Sequence, residues 1–132
     1  MVAWQADGSV PSVAVIGASN NPRKYGNKAV RAYLRQGWTV YPVNPQAVGQ
    51  AETIEGLPTY PNIEAIPEKV DRAALYVPPS VGRTLLGGIA RKGIAELFVN
   101  PGAESDELLA EAERLGLPVI QACSIVDIGE RP

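Results

Sequence analysis

The chain lacks histidine altogether and has one cysteine among its 132 residues. No imidazole is therefore present to act as a general base, and a zinc site built from histidine and cysteine has no ligand set. The single cysteine, Cys123, excludes an internal disulfide and fits a reducing compartment, so we expect a cytoplasmic protein. No apolar run approaches the roughly 18 residues of a membrane span, and the N-terminus lacks the basic start of a signal peptide.

Acidic residues are missing from one long stretch, Gly8 to Ala51, although the chain as a whole has a net charge of −2. All five charged residues of that stretch are basic: Arg23, Lys24, Lys28, Arg31 and Arg35. A basic segment in an acidic protein indicates a local anion site, and not general affinity for nucleic acid. The alternative for the last three is a solvated helix face.

The alternation of strand and helix patterns predicts one α/β domain over residues 1–132. We expect a Rossmann-type three-layer sandwich, with a five-stranded parallel sheet flanked by helices. The predicted strands are Ser12–Ile16, Thr39–Val43, Ala73–Val77, Glu96–Val99 and Pro118–Ile120. The predicted helices are Tyr25–Gln36, Val81–Lys92 after an N-cap at Ser80, and Asp106–Leu115 after an N-cap at Ser105. Residues 46–61 are predicted to be mostly loop, followed by a short helix at Ile63–Ile66 capped by Asn62.

A small-residue loop follows the first strand. Gly17 allows a sharp backbone turn, and Ala18 and Ser19 keep the approach to the main chain open. The helix that begins near Tyr25 would direct its free N–H groups towards this loop. The arrangement predicts a site for a phosphate or diphosphate at the carboxyl ends of the strands.

Several common nucleotides fit this loop poorly. The G-x-G-x-x-G pattern fails, because Ser19 and Pro22 stand at its second and third glycine positions. The end of strand two, Val43-Asn44-Pro45, offers no acid for ribose hydroxyls, which disfavours NAD and FAD, and no P-loop sequence is present. Arg23 and Lys24 would instead suit an additional phosphate.

The exit of the third strand is apolar and lacks donors. Val77 is followed by Pro78 and Pro79, and neither proline has an N–H group. Such a surface suits the pantetheine arm of coenzyme A (CoA) better than a nicotinamide ring.

The motifs Val13-Ala14-Val15-Ile16-Gly17-Ala18-Ser19-Asn20-Asn21-Pro22 and Tyr41-Pro42-Val43-Asn44-Pro45 resemble the CoA-binding domain family, which includes small stand-alone bacterial proteins. The stretch from Tyr76 to Pro79 is similar to the matching part of the succinyl-CoA synthetase alpha subunit and of ADP-forming acyl-CoA synthetases. The resemblance covers about residues 13–128.

The resemblance implies a site for CoA or acyl-CoA in three parts. The first part is the loop residues Gly17, Ala18, Ser19, Asn20, Arg23 and Lys24. The second, near adenosine, is Val43, Asn44 and Pro45. The third, along pantetheine, is Val77, Pro78 and Pro79, with Asn100, Pro101 and Gly102 nearby.

Two departures from the family limit what this chain is expected to do. The synthetase subunit carries a phosphorylated histidine in a second domain, and this chain ends at Pro132 without any histidine, so we expect no catalysis of its own. Stand-alone relatives often have a glutamine in the loop after strand four, where this chain reads Asn100-Pro101-Gly102. The alternatives are a CoA-binding subunit completed by another chain and, less favoured, an NAD(P)-binding regulatory module.

Two further residues have open roles. Tyr25 fits either a core position or the site. Cys123 follows an apolar strand, where a free cysteine is usually inert, and the alternative is a redox partner of the CoA thiol.

Overall fold

The computed structural model describes residues 7–47 and 53–132. Its main sheet contains five parallel strands: β1 (Ser12–Ile16), β2 (Thr39–Val43), β5 (Arg72–Leu75), β6 (Glu96–Val99) and β7 (Val119–Gln121). Their spatial order in the sheet is β2-β1-β5-β6-β7. A two-stranded antiparallel hairpin, β3 (Thr53–Ile54) and β4 (Leu57–Pro58), lies outside this sheet. The prediction of a five-stranded parallel sheet is confirmed.

Helices cover both faces of the sheet. They are α1 (Tyr25–Arg35), α2 (Pro79–Lys92), α3 (Asp106–Arg114) and α4 (Ser124–Asp127). Apolar residues of α1 and α4 pack with Val13 and Val15 on one face of β1. Residues of α2 and α3 pack with Ala14 and Ile16 on the other face. The predicted three-layer sandwich is therefore confirmed, and β1 is buried on both faces because its side chains alternate between two cores.

Some details of the predicted secondary structure differ from the structure. Helix α2 begins at Pro79 with Pro78 as its N-cap, and not at Val81 after a Ser80 cap, because proline is well suited to the first helical turn. Strand β5 ends at Leu75, before the predicted end at Val77, and β7 lies one residue later than predicted. The described part of the segment 46–61 is mostly loop, as predicted, but it also contains the short hairpin β3–β4, and its residues 48–52 lie outside the described residues. Helix α4 was not predicted.

Two predicted caps are confirmed. Ser105 accepts a hydrogen bond from Leu108 N at 3.0 Å at the start of α3. Asn62 accepts one from Ala65 N at 2.9 Å at a 3₁₀ turn, Ile63–Ala65. Among residues 7–47 and 53–132, no helix has the length and apolar character needed to cross a bilayer.

A buried arginine ties α4 to the sheet at the amino end of β5. The Arg72 guanidinium donates to Glu96 Oε1 at 2.9 Å and to Asp127 Oδ2 at 2.9 Å. Its planar group also lies over the rings of Phe98 and Trp38, with centroid distances of 4.2 and 4.9 Å. These contacts satisfy a charge that burial would otherwise make costly, and they fix the position of α4.

Candidate functional site

The strand order changes direction between β1 and β5, because β2 lies on one side of β1 and the later strands lie on the other. In doubly wound sheets a crevice opens at the carboxyl ends of the strands at this point. The loops that follow β1 and β5 meet there. A Cβ atom placed on Gly17 would lie 2.5 Å from the carbonyl oxygen of Tyr76, so this contact requires glycine.

The backbone of the loop after β1 is fixed by β2. Gly17 has a φ of 97°, and its N–H donates to the Val43 carbonyl at 2.9 Å. The Ala18 N–H reaches the same carbonyl at 3.3 Å. These two amides therefore hold the loop in place, and the amides that remain for an anion lie further along it.

Four amides of the loop and of the start of α1 make no hydrogen bond within the described part of the chain. They belong to Ser19, Asn20, Tyr25 and Gly26. The Ser19 hydroxyl accepts from the Asn21 N–H at 3.0 Å, which turns the chain towards the helix. Free N–H groups at the start of an eleven-residue helix are the elementary parts of an anion site.

Gly26 brings α1 into direct contact with the loop. A Cβ atom on this residue would lie 2.0 Å from the Gly17 carbonyl oxygen and 3.2 Å from the Ala18 Cα atom. The first turn of the helix can approach the loop only because Gly26 has no side chain. The sequence analysis did not identify Gly26 as a site residue. The signal for it was a second glycine, in the first turn of the predicted helix, shortly after the Gly17 turn.

Two asparagines attach the loop to its neighbours. The buried Asn27 side chain donates to the Ser19 carbonyl at 2.8 Å and to Glu55 Oε2 at 3.0 Å. Asn20 donates to the Thr53 carbonyl at 2.7 Å and accepts from the Glu55 N–H at 3.1 Å. The hairpin β3–β4 thereby places the Glu55 carboxylate next to the loop after β1, although the sequence from Gly8 to Ala51 contains no acidic residue.

A groove of about 600 Å³ opens beside this loop. Lys24 contributes the one charged side chain among the described lining residues. Asn44 forms part of the wall, and its amide donates to the Ala18 carbonyl at 3.0 Å and accepts from the Gln46 N–H at 2.9 Å. The lining comprises Gly17, Ala18, Ser19, Lys24, Tyr25, Gly26, Asn44, Pro45, Gln46, Tyr76, Val77, Pro78 and Val81. We call this space the loop groove.

A second cavity of about 650 Å³ adjoins the loop groove. It lies at the carboxyl ends of β5 and β6 and against the start of α4. Its lining comprises Tyr25, Leu75, Tyr76, Val77, Pro78, Pro79, Asn100, Pro101, Gly102, Ala103, Cys123, Val126 and Pro132. The two spaces share four lining residues, Tyr25, Tyr76, Val77 and Pro78, and therefore lie side by side. We call the second space the apolar cavity.

Hydrogen bonds between protein groups fix the walls of the apolar cavity. The amide of Asn100, which is 3% exposed, donates to the Leu75 carbonyl at 2.8 Å and accepts from the Ser124 N–H at 2.9 Å. The Tyr76 hydroxyl and the Ser124 hydroxyl are 2.8 Å apart. Burial raises the pKa of Tyr76 well above its usual range, so this phenol stays neutral at physiological pH.

Twelve of the fifteen predicted site residues line one of these two spaces. Asn20, Arg23 and Val43 do not. Asn20 attaches the hairpin, Val43 supports the loop through its carbonyl, and Arg23 is exposed beside the loop. Tyr25, whose role was open, is 59% exposed and lines both spaces, so it is not a core residue.

The remaining basic residues of α1 make contacts within the protein. Arg31 Nε donates to Asn27 Oδ1 at 2.7 Å, and Arg35 forms a 2.9 Å ion pair with Glu130. Lys28 Nζ lies 4.8 Å from the centroid of the Tyr25 ring. Arg31 and Arg35 therefore contribute to structure, which is neither a role in the anion site nor the purely solvated face of the alternative. In the described ranges, no cluster of three or more acidic or cysteine side chains is placed to hold a metal ion.

These features define a class: an open α/β domain with free backbone amides in the loop at its topological switch point and an apolar cavity beside that loop. The family model described as a CoA binding domain matches residues 11–129. The chain belongs to this family.

Curated relatives with activity in their names are much longer than this chain. The chain is 31% identical over 119 residues to an ADP-forming acetate–CoA ligase II subunit alpha from Pyrococcus furiosus, which covers 82% of the chain and 25% of the relative. It is 38% identical over 112 residues to an ADP-forming acetate–CoA ligase II from Archaeoglobus fulgidus, covering 82% of the chain and 16% of the relative. The chain thus spans a quarter or less of each.

Solved structures share the fold, one over nearly its whole length and another over a quarter of it. A conserved hypothetical protein from Pyrococcus furiosus superposes with a TM-score of 0.77 at 34% identity, covering 89% of this chain and 98% of that one. A dinucleotide-forming acetyl-coenzyme A synthetase 1 from Ca. Korarchaeum cryptofilum, in complex with phosphate and ADP, gives a TM-score of 0.70 at 30% identity. It covers 84% of this chain and 25% of that one.

Proposed function

We propose that this chain binds CoA or acyl-CoA in the loop groove and the apolar cavity. The observation that carries the proposal is that the two spaces adjoin, one with free amides and a lysine, the other lined by apolar groups and prolines. A coenzyme that joins a diphosphate to a long, mostly uncharged arm requires both in this order. Membership of the CoA binding domain family supports the same ligand.

Each part of the site would recognise one part of the coenzyme. The free amides of Ser19, Tyr25 and Gly26, with the positive end of the α1 dipole, would hold the diphosphate. Lys24 would add a full charge to these partial charges. Val77 and Pro78, on the wall common to both spaces, would guide pantetheine into the apolar cavity. We place this binding protein in the cytoplasm, where CoA is available.

The direct experiment is equilibrium titration of the chain with CoA, dephospho-CoA, NADH and NADPH by calorimetry. We expect CoA to bind tightest, with dephospho-CoA weaker because it lacks one phosphate. Binding of NADH or NADPH in preference to CoA would instead support the alternative of a nucleotide-responsive regulatory module.

Replacing the groove lysine tests the electrostatic part of the site. A charge-assisted hydrogen bond contributes about 1.5–3 kcal/mol, so we expect Lys24→Ala to raise the Kd for CoA roughly ten- to hundredfold and to reduce its salt dependence. Calorimetry at two salt concentrations measures both effects. Arg23→Ala should have a smaller effect, because Arg23 lies outside the lining.

Lys69→Ala is the matched control for this substitution. Lys69 is an exposed lysine, its side chain 83% accessible, that precedes β5 at the opposite edge of the sheet. We expect it to leave CoA binding unchanged. If Lys24→Ala and Lys69→Ala weaken CoA binding equally, the effect of Lys24 is one of overall protein charge, and Lys24 does not belong to the site.

A second candidate is a CoA-binding subunit of an acyl-CoA synthetase-like enzyme completed by another chain. The relatives named as acetate–CoA ligases favour it, since the matched region is a minor part of each of them. Co-purification with a nucleotide-binding partner, together with ligase activity that appears only in the mixture, would support this candidate over a binding protein that acts alone.

A further inference from the structure

The apolar cavity has no charged side chain among its lining residues in the described part of the chain. Its lining includes residues at the ends of β5 and β6. We call its far part the region lined by Ala103, Cys123 and Val126, which do not line the loop groove. A volume of about 650 Å³ falls within the range of sites that enclose small molecules. The cavity can therefore take up more than the thiol end of a coenzyme.

The side-chain polar groups of Asn100 and Tyr76 and the Gly102 N–H, which all belong to lining residues, already have protein partners. Both ends of the Asn100 amide are bonded to backbone groups, and the Tyr76 hydroxyl is bonded to Ser124. The Gly102 N–H donates to Glu104 Oε2 at 3.0 Å, and the three prolines Pro78, Pro79 and Pro101 have no N–H to offer. A charged group that entered here would lose its water and find no cation, whereas methylene groups would gain from leaving water.

Exposed apolar side chains are concentrated around these spaces. Tyr25 and Val126 are 59% and 58% exposed and both line the apolar cavity. Val81, 42% exposed, lines the loop groove. Three of the five large hydrophobic side chains that the described residues leave exposed thus line these two adjoining spaces, a concentration typical of ligand-binding sites.

We propose that the far part of the apolar cavity holds the acyl chain of an acyl-CoA, and that it selects an uncharged aliphatic chain over free CoA and over an acyl group ending in a carboxylate. This inference rests on the proposed CoA site and specifies its ligand. The thioester would lie past the wall shared by Val77 and Pro78, and the acyl carbons would contact Ala103, Cys123 and Val126.

The test is calorimetric titration with CoA, butyryl-CoA, hexanoyl-CoA and succinyl-CoA. Each methylene that enters the cavity should lower the Kd by up to about fourfold. Butyryl-CoA and succinyl-CoA both carry four acyl carbons and differ in the terminal carboxylate. We expect succinyl-CoA to bind at least about tenfold more weakly than butyryl-CoA, because its carboxylate would be desolvated without a partner.

A pair of variants locates the effect. Val126→Asn places a polar group on the cavity wall and should reduce the ratio between the hexanoyl-CoA and CoA affinities. Val10→Asn makes the same change at a 38% exposed valine that lines neither space, and the ratio should stay the same. Equal ratios in both variants would place the acyl chain elsewhere.

The possible outcomes distinguish failure of the acyl-chain site from failure of the proposed CoA site. Tight binding of CoA with no change across the acyl series, or equal binding of butyryl-CoA and succinyl-CoA, overturns the acyl site and leaves the CoA site intact. Failure of all four ligands to bind overturns the CoA site itself.

Discussion

Gly26→Ala should lower the free energy of unfolding by about 3 kcal/mol or more and abolish CoA binding. The new methyl group would lie 2.0 Å from the Gly17 carbonyl oxygen, far inside contact distance. Because the obstructing atom belongs to the backbone, only separation of α1 from the loop can relieve the overlap, at the upper end of the cost of overpacking. Urea unfolding and CoA titration of the folded variant measure the two effects.

Gly87→Ala is the matched control, because Gly87 also lies within a helix. A Cβ atom there would have its nearest neighbour at 3.4 Å, the mobile end of Arg91. Replacing glycine by alanine in a helix interior is favourable by up to about 1 kcal/mol. We expect this variant to be as stable as the parent or more so. If both variants unfold at the same urea concentration, the close contact between α1 and the loop is absent.

Asn100→Ala should destabilise the protein by about 2–6 kcal/mol. The substitution removes the partners of two buried backbone groups, the Leu75 carbonyl and the Ser124 N–H. Each unsatisfied buried group costs about 1–3 kcal/mol. Thermal or urea unfolding measures the loss. The variant should also weaken CoA binding, because Asn100 joins β5 to α4 across the apolar cavity.

The exposed Asn62 provides the comparison for this substitution. Asn62→Ala also deletes a side chain that holds a backbone N–H, that of Ala65, but solvent can replace its hydrogen bond. We expect a loss of about 1 kcal/mol. If both variants lose the same free energy of unfolding, Asn100 does not secure the cavity wall. A direct contact with the ligand would then be its remaining role.

The positions of the main strands were predictable because each is a short apolar run bounded by glycine or proline, and their parallel direction followed from the alternation of strands with helices. Buried runs such as Val13–Ile16 predict strands covered on both faces, and the caps at Ser105 and Asn62 follow local hydrogen-bonding rules. The hairpin β3–β4 was not predictable in this way, because each of its strands has only two residues. Strands this short show no alternation of apolar and polar residues. The hairpin is instead held by contacts with Asn20 and β2.

The chemical character of the site was readable from the sequence, but its individual contacts were not. The loop after β1 and the prolines after β5 were recognised from residue type and position in the strand order. That the Gly17 and Ala18 amides are used by Val43, and that Tyr25 connects two spaces, depends on distances between segments far apart in the chain. The same is true of the Glu55 carboxylate behind the loop.

A crystal structure of the chain grown with CoA tests the central claim most directly. The account predicts diphosphate oxygens within hydrogen-bond distance of the Ser19, Tyr25 and Gly26 amides, and pantetheine passing Val77 and Pro78 into the apolar cavity. Coenzyme bound at another surface, with those three amides facing solvent, would contradict it.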